Sequence, residues 1–127
     1  MNFIQAQAVE DAGGVGLQLQ TADGPFVLPL REAGEALRPW LGKTLILGVR
    51  PEQISDSGTV QRTARKFRIE LVEPTGPDTL LFVRINGETV CCRVRPEQAC
   101  AAGESMELAF DLSKAVFFDP DSGKRIG

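Results

Sequence analysis

The residues able to do chemistry are two acids, three thiols, a basic cluster and one glycine run. Glu52 and Glu97 each follow an Arg-Pro pair, and two carboxylates can share general acid and base work when they face each other. Each also fits a plainer role, capping the turn after its proline or pairing with an arginine. Cys91, Cys92 and Cys100 are an odd number, two of them are adjacent, and none forms a Cys-x-x-Cys spacing. That pattern predicts neither a disulfide framework nor a zinc site, but free thiols in a reducing compartment. Neighbours on a strand face opposite ways, so at most one of Cys91 and Cys92 can enter a core. Arg62, Arg65, Lys66 and Arg68 form a basic cluster, which reads first as a solvated strand face. Gly13-Gly14-Val15-Gly16 lacks the strand before it and the helix after it that a phosphate-cradling loop requires, and reads as a hairpin turn.

Several chemistries have no residues to perform them. The chain has 0 histidines, so the commonest general base and metal ligand is missing. No serine or threonine sits in a pattern that would activate it as a nucleophile. Neither a GxxxxGK[ST] loop nor a Leu-Ser-Gly-Gly run occurs. The residues given carry no nucleotide-hydrolysing machinery, and the reading is not an enzyme, with no catalytic, cofactor-binding or metal-ligating residue assigned.

The elements that would position these residues are strands. Residues 3–10, 15–20 and 24–30 read as short strands between glycine turns, with Val15, Leu17 and Leu19 alternating with Gly16, Gln18 and Gln20, and with Val9 and Phe26 as core candidates. Residues 31–41 lose that alternation, and Gly34 and Pro39 limit them to one helical turn or an ordered loop, with Trp40 plugging a barrel end. Residues 43–54 are the centre of the pattern. Leu45, Ile46, Leu47 and Val49 surround Gly48, and the run stops at Arg50-Pro51-Glu52-Gln53. Pro51 cannot donate a ladder hydrogen bond, so the strand leaves its sheet there. Gly48 lets a ring or another backbone lie close. Residues 55–61 read as a polar loop, and 65–73 as one strand with Phe67, Ile69 and Leu71 on one face. Leu80, Phe82, Val83 and Ile85 mark the next strand. Asn86-Gly87 signals a hairpin into the cysteine-bearing strand. That strand ends at a second Arg-Pro-Glu-Gln, Arg95 to Gln98. Residues 106–110 and 116–118 make the last two strands expected.

About nine short strands with little helix predict an all-β fold, a barrel of short antiparallel strands. At 127 residues the chain reads as a single domain, able to bury roughly two thirds of its unfolded surface. No apolar run is long enough to span a bilayer, and no secretory leader is visible. The formal charge of −3 argues against nucleic acid or an anionic membrane as the main partner.

The motif apolar-Gly-Val-Arg-Pro-Glu at Gly48, Arg50, Pro51 and Glu52 resembles the signature of a known family. It is found in the C-terminal regulatory (TOBE, OB-like) domain of ABC importer ATP-binding subunits of the maltose and glycerol-phosphate type. Met1-Asn2-Phe3 resembles the segment after the family's ATPase core. Glu73 to Gly76 resembles its "VE..G" turn. Phe118, Asp119, Gly123 and Arg125 resemble its closing "FD...G.R[I/L]". The family usually carries His where this chain has Gln53, so no role resting on an imidazole carries over. The resemblance implies an OB-like barrel built from both ends of the chain and a place in the C-terminal part of a longer subunit. It implies ATP and Mg²⁺ in the ATPase part and none in this one. It further implies a homodimer through this domain, importer membrane subunits and a cytosolic regulator as partners, and a location at the inner face of the cell membrane. Outward-facing interface candidates are Arg50, Glu52, Phe118 and Arg125, with the barrel core as the other place for Phe118.

Two other functions remain open on the residues alone. A small-ligand module for an oxyanion or a sugar needs converging hydroxyls and backbone N–H groups, for which Thr75-Gly76 and Ser57-Gly58 are candidates. Single-stranded nucleic-acid binding, common among OB folds, needs aromatics on a basic groove. Phe67, among Arg65, Lys66 and Arg68, is the one local approach to that.

Overall fold

Period-two alternation becomes sheet, with one break at residues 69–70. The computed structural model describes residues 1–56 and 63–127, with the backbone alone for 31–33. Its strands are β1 (Asn2–Asp11), β2 (Gly14–Thr21), β3 (Gly24–Pro29), β4 (Thr44–Val49), β5 (Ile54–Asp56) and β6 (Arg65–Arg68). They continue as β7 (Leu71–Pro74), β8 (Thr79–Ile85), β9 (Glu88–Val94), β10 (Ser105–Phe110), β11 (Val116–Phe118) and β12 (Arg125–Ile126). The order β12-β11-β4-β1-β2-β3 makes one sheet, and β5-β10-β6 and β7-β8-β9 make two smaller ones. Every pairing is antiparallel. The fold is all-β and OB-like, and strands from both chain ends meet at β4.

One apolar core lies between the sheets. Ile4, Ala6 and Ala8 of β1, Leu45, Leu47 and Val49 of β4, and Leu81, Val83 and Ile85 of β8 all face it. Fully burying a leucine or isoleucine contributes roughly 1.5–3 kcal/mol, so these alternating positions fix the register of each strand. Ala8 takes the inward place that Val9 was expected to hold, and Val9 is half-buried. Phe26 packs on the core edge-to-face with Phe67, centroids 5.5 Å apart, and Phe110 completes the cluster.

Three expectations are corrected. Arg31–Trp40 is a ten-residue 3-10 segment rather than one turn. Gly34 makes this possible: a Cβ there would lie 2.9 Å from the Val15 carbonyl oxygen, so only glycine lets the segment lie on β2 while Leu37 enters the core. Trp40 packs half-buried against the core, with the Lys43 ammonium 5.8 Å from its ring centroid. Residues 65–73 are two strands, not one. The Ile69 N–H donates to the Glu104 carbonyl and the Glu70 N–H to the Phe82 carbonyl, so the chain changes sheets at that point. Phe67 and Ile69 stay buried, but Leu71 emerges 52% exposed. Finally, the described residues hold twelve strands, because β5 and the two-residue β12 were too short for alternation to reveal. Of the basic cluster and the loop expected at 55–61, Arg62, Ser57 and Gly58 lie outside the described residues.

Candidate functional site

The outer face of the large sheet carries the motif residues. Two cross-strand rows run over it. In the first, Phe3 of β1 lies opposite Gly48 of β4, which lies opposite Val116 of β11. In the second, Gln5, Ile46, Phe118 and Arg125 follow one another across β1, β4, β11 and β12. Phe3 is 57% exposed, and its ring meets that of Phe118 edge-to-face at 6.0 Å. Met1, Phe3, Ile46, Val116 and Phe118 thus form an apolar patch on a sheet face that nothing in the described residues covers. Gly48 holds it flat. A Cβ there would fall 2.8 Å from Val116 Cγ2, and 3.2 Å from both Met1 Sδ and a Phe118 ring carbon. The expectation of a ring against Gly48 is met, and Phe118 lies half-buried on the outer face, not in the core.

The turn after β4 is built by a residue that motif matching passed over. Pro51–Gln53 is a 3-10 turn. The Gln53 side chain folds back so that its Oε1 accepts the Arg50 N–H at 2.7 Å, while the Gln53 N–H donates to the Arg50 carbonyl at 2.9 Å. The Gln53 carbonyl in turn accepts the Asp111 N–H at 2.7 Å, tying the turn to the end of β10. The signal was present: Gln three residues after the first capping position is the return half of a capping box. Glu52 does not cap; its carboxylate lies 3.8 Å from Arg93 of β9. The Arg50 side chain is exposed. At the second Arg-Pro-Glu-Gln the same turn forms over Pro96–Gln98, but Gln98 is exposed and Glu97 pairs with Arg95 at 3.7 Å. Glu52 and Glu97 therefore each have an arginine and are not a carboxylate pair.

The remaining motif residues are turn builders. Asp119 and Gly123 close the β11–β12 hairpin: the Gly123 N–H donates to the Asp119 carbonyl, and the Asp119 Oδ1 accepts the Asp121 N–H. Gly123 has φ +73°, a conformation that glycine adopts without strain. This hairpin brings Arg125 opposite Phe118. Glu73 and Gly76 lie in the β7–β8 hairpin of another sheet and do not join the patch. There the Thr75 hydroxyl and N–H both donate to the Asp78 carbonyl at 2.9 Å, so Thr75-Gly76 is occupied as a turn.

Comparison with known proteins matches this arrangement. Residues 1–54 match the model of the MalK OB fold domain, and residues 47–118 match that of the TOBE domain, more than half of the chain. The chain belongs to the TOBE domain family. The oligosaccharides import ATP-binding protein MsmX of Bacillus subtilis is 27% identical over 130 residues, covering 99% of this chain and 34% of that protein. The sn-glycerol-3-phosphate import ATP-binding protein UgpC of Burkholderia thailandensis is 31% identical over 128 residues, covering 100% of this chain and 34% of its own length. The trehalose/maltose import ATP-binding protein MalK of Thermococcus litoralis is 29% identical, again over 34% of its length. The chain therefore spans about a third of the curated relatives it matches. Among solved structures, the molybdate-bound form of the cytoplasmic molybdate-binding protein ModG superposes with a TM-score of 0.60 at 16% identity, over 94% of this chain and 96% of that one. That likeness is one of fold.

The thiols of this TOBE domain are free. Cys92 is buried, Cys91 half-buried on the opposite strand face, and burial pushes the pKa of all three cysteines upward. Thiolates, the reactive form, are thereby disfavoured. Cys91 has a structural neighbour instead: the Asn2 amide donates to its carbonyl at 2.7 Å and accepts its N–H at 3.0 Å, pinning the start of β1 to β9. Phe67, the one aromatic among the basic residues, turns its ring into the core at 4% exposure and offers no stacking surface. Among the described residues no cluster of acids or thiols has metal-binding geometry, and no helix is long and apolar enough to cross a membrane.

Proposed function

We propose that this chain is the regulatory and dimerisation domain in the C-terminal part of an ABC importer's ATP-binding subunit, for sugars or related solutes. It does no catalysis of its own. The observation that carries the reading is the apolar face of Phe3, Ile46, Val116 and Phe118, built by the family motifs and left uncovered by the described residues. A second copy of the chain is the occupant we assign to it, because an apolar sheet face is self-complementary across a two-fold axis. Paired domains of this kind hold two ATPase parts together while their nucleotide sites open and close. ATP and Mg²⁺ belong to those parts. The importer's membrane subunits and a cytosolic regulator are further partners, at the inner face of the cell membrane. Gly48, Pro51, Asp119 and Gly123 shape the interface, whereas Arg50, Glu52 and Arg125 rim it. Glu73 and Gly76 keep a structural role in their hairpin.

An antibody against the domain, used on lysate of its own cells, tests the placement in a longer subunit. A band near three times 13.8 kDa is expected, since the relatives are about three times as long. A band at 13.8 kDa contradicts the reading.

A further inference from the structure

Three cations that the self-association reading does not use line a single cleft. Lys66 and Arg68 project from the solvent side of β6, with Phe67 between them turned inward. Arg84 projects from β8 just before the Asn86-Gly87 turn. The cleft encloses about 460 Å³ between the β2–β3 turn, the β6–β7 segment and the β8–β9 turn. That volume lies within the roughly 300–1,000 Å³ of small-molecule sites.

The walls are fixed before any ligand arrives. The Asn86 N–H donates to the Gln20 carbonyl at 2.8 Å, and its Oδ1 accepts the Gln20 N–H at 2.9 Å. Its Nδ2 donates to the Gln5 carbonyl, so one side chain ties the β8–β9 turn to β2 and β1. The cations, by contrast, are uncommitted. Lys66 and Arg68 make no ion pair among the described residues, although Glu107 stands opposite Lys66 across β10. Among the described residues, Arg84 donates to the carbonyl of Gly87, at 3.0 Å. In a chain of net charge −3, three cations around one cleft that form no ion pair among the described residues mark a place for an anion.

The other lining groups narrow the anion. Asp23 and Glu70 also line the cleft, and two carboxylates repel a polyanion such as a nucleic-acid backbone. They accept hydrogen bonds from hydroxyl groups, as does the Gln20 amide. A ligand with one anionic end and several hydroxyls satisfies both sets. We propose that this cleft binds a small phosphorylated sugar, its phosphate on Lys66, Arg68 and Arg84 and its hydroxyls on Gln20, Asp23 and Glu70. None of these residues belongs to the Phe3–Phe118 patch, so the site stands or falls separately from self-association.

Titration calorimetry of the 127-residue chain in low salt, with glucose 6-phosphate as probe, tests it. Saturable one-site binding is expected. It should weaken at least tenfold in the double variant Lys66→Ala/Arg68→Ala and in Arg84→Ala, with melting unchanged because these side chains are exposed. Glucose alone should not bind. Three results would overturn the proposal: no binding of glucose 6-phosphate, equal binding by the variants, or equal affinity for inorganic phosphate. Tighter binding of a hexaglutamate peptide than of the sugar phosphate would overturn it too, by making the cleft a protein-docking site.

Discussion

At the scale of single residues, the most telling side chain is Gln53. The sequence resemblance treats it only as a departure from a motif, yet its geometry shows what the residue does: it accepts the Arg50 N–H and stiffens the turn. Gln53→Ala removes that cap, and a loss of about 1 kcal/mol is expected by urea denaturation, in the range of other lost caps. Gln53→Glu keeps an acceptor and should lose less. Cys92 supplies a pH test. Its folded pKa is raised above the ordinary thiol value of 9.0 by burial. Above that pH the unfolded chain releases a proton that the folded chain retains, so stability falls as pH rises through the range. Melting between pH 8 and 10.5 should show this decline, and Cys92→Ala should flatten it from its own lower starting point. A thiol reagent at pH 8 should likewise leave Cys92 unlabelled until the protein unfolds.

At the scale of elements, what was legible depended on range. Alternation, Asn86-Gly87 and strand-ending prolines are local, and they gave β1 to β4, β8, β9 and both Pro-Glu-Gln turns. The break at Ile69-Glu70 was hidden, because its cause is a pair of hydrogen bonds to Glu104 and Phe82, far along the chain. Arg125 and Ile126 carry no strand pattern; the Asp119–Gly123 turn places them. The outer patch was half-legible: Gly48 and Phe118 were singled out, whereas Phe3, Ile46 and Val116 joined them only through register. Gly48 gives this element its test. Gly48→Ala drives a methyl group into Val116 and the Phe118 ring, with a cost of about 1–3 kcal/mol expected from overpacking. The resonances that shift in ¹H–¹³C spectra should be the methyl groups of Met1 and Val116 and the ring C–H groups of Phe118. Unchanged stability would mean that β11 is not clasped to β4 at this point.

At the scale of the whole molecule, the last twelve residues close the structure on its first fifty. Deleting residues 116–127 removes Phe117 from the core and bares the edge of β4, whose paired N–H and C=O groups then lack a neighbour. Cooperative thermal unfolding by circular dichroism should be lost, and the truncated chain should aggregate. The same closure creates the apolar face on which the functional account rests. Sedimentation of the intact chain across a concentration series tests that account most directly. The mass should rise from 13.8 kDa toward twice that value, and Phe118→Glu should hold it at the monomer without lowering the melting temperature. A chain that stays monomeric at hundreds of micromolar, or a Phe118→Glu variant that associates as well as its parent, would contradict it.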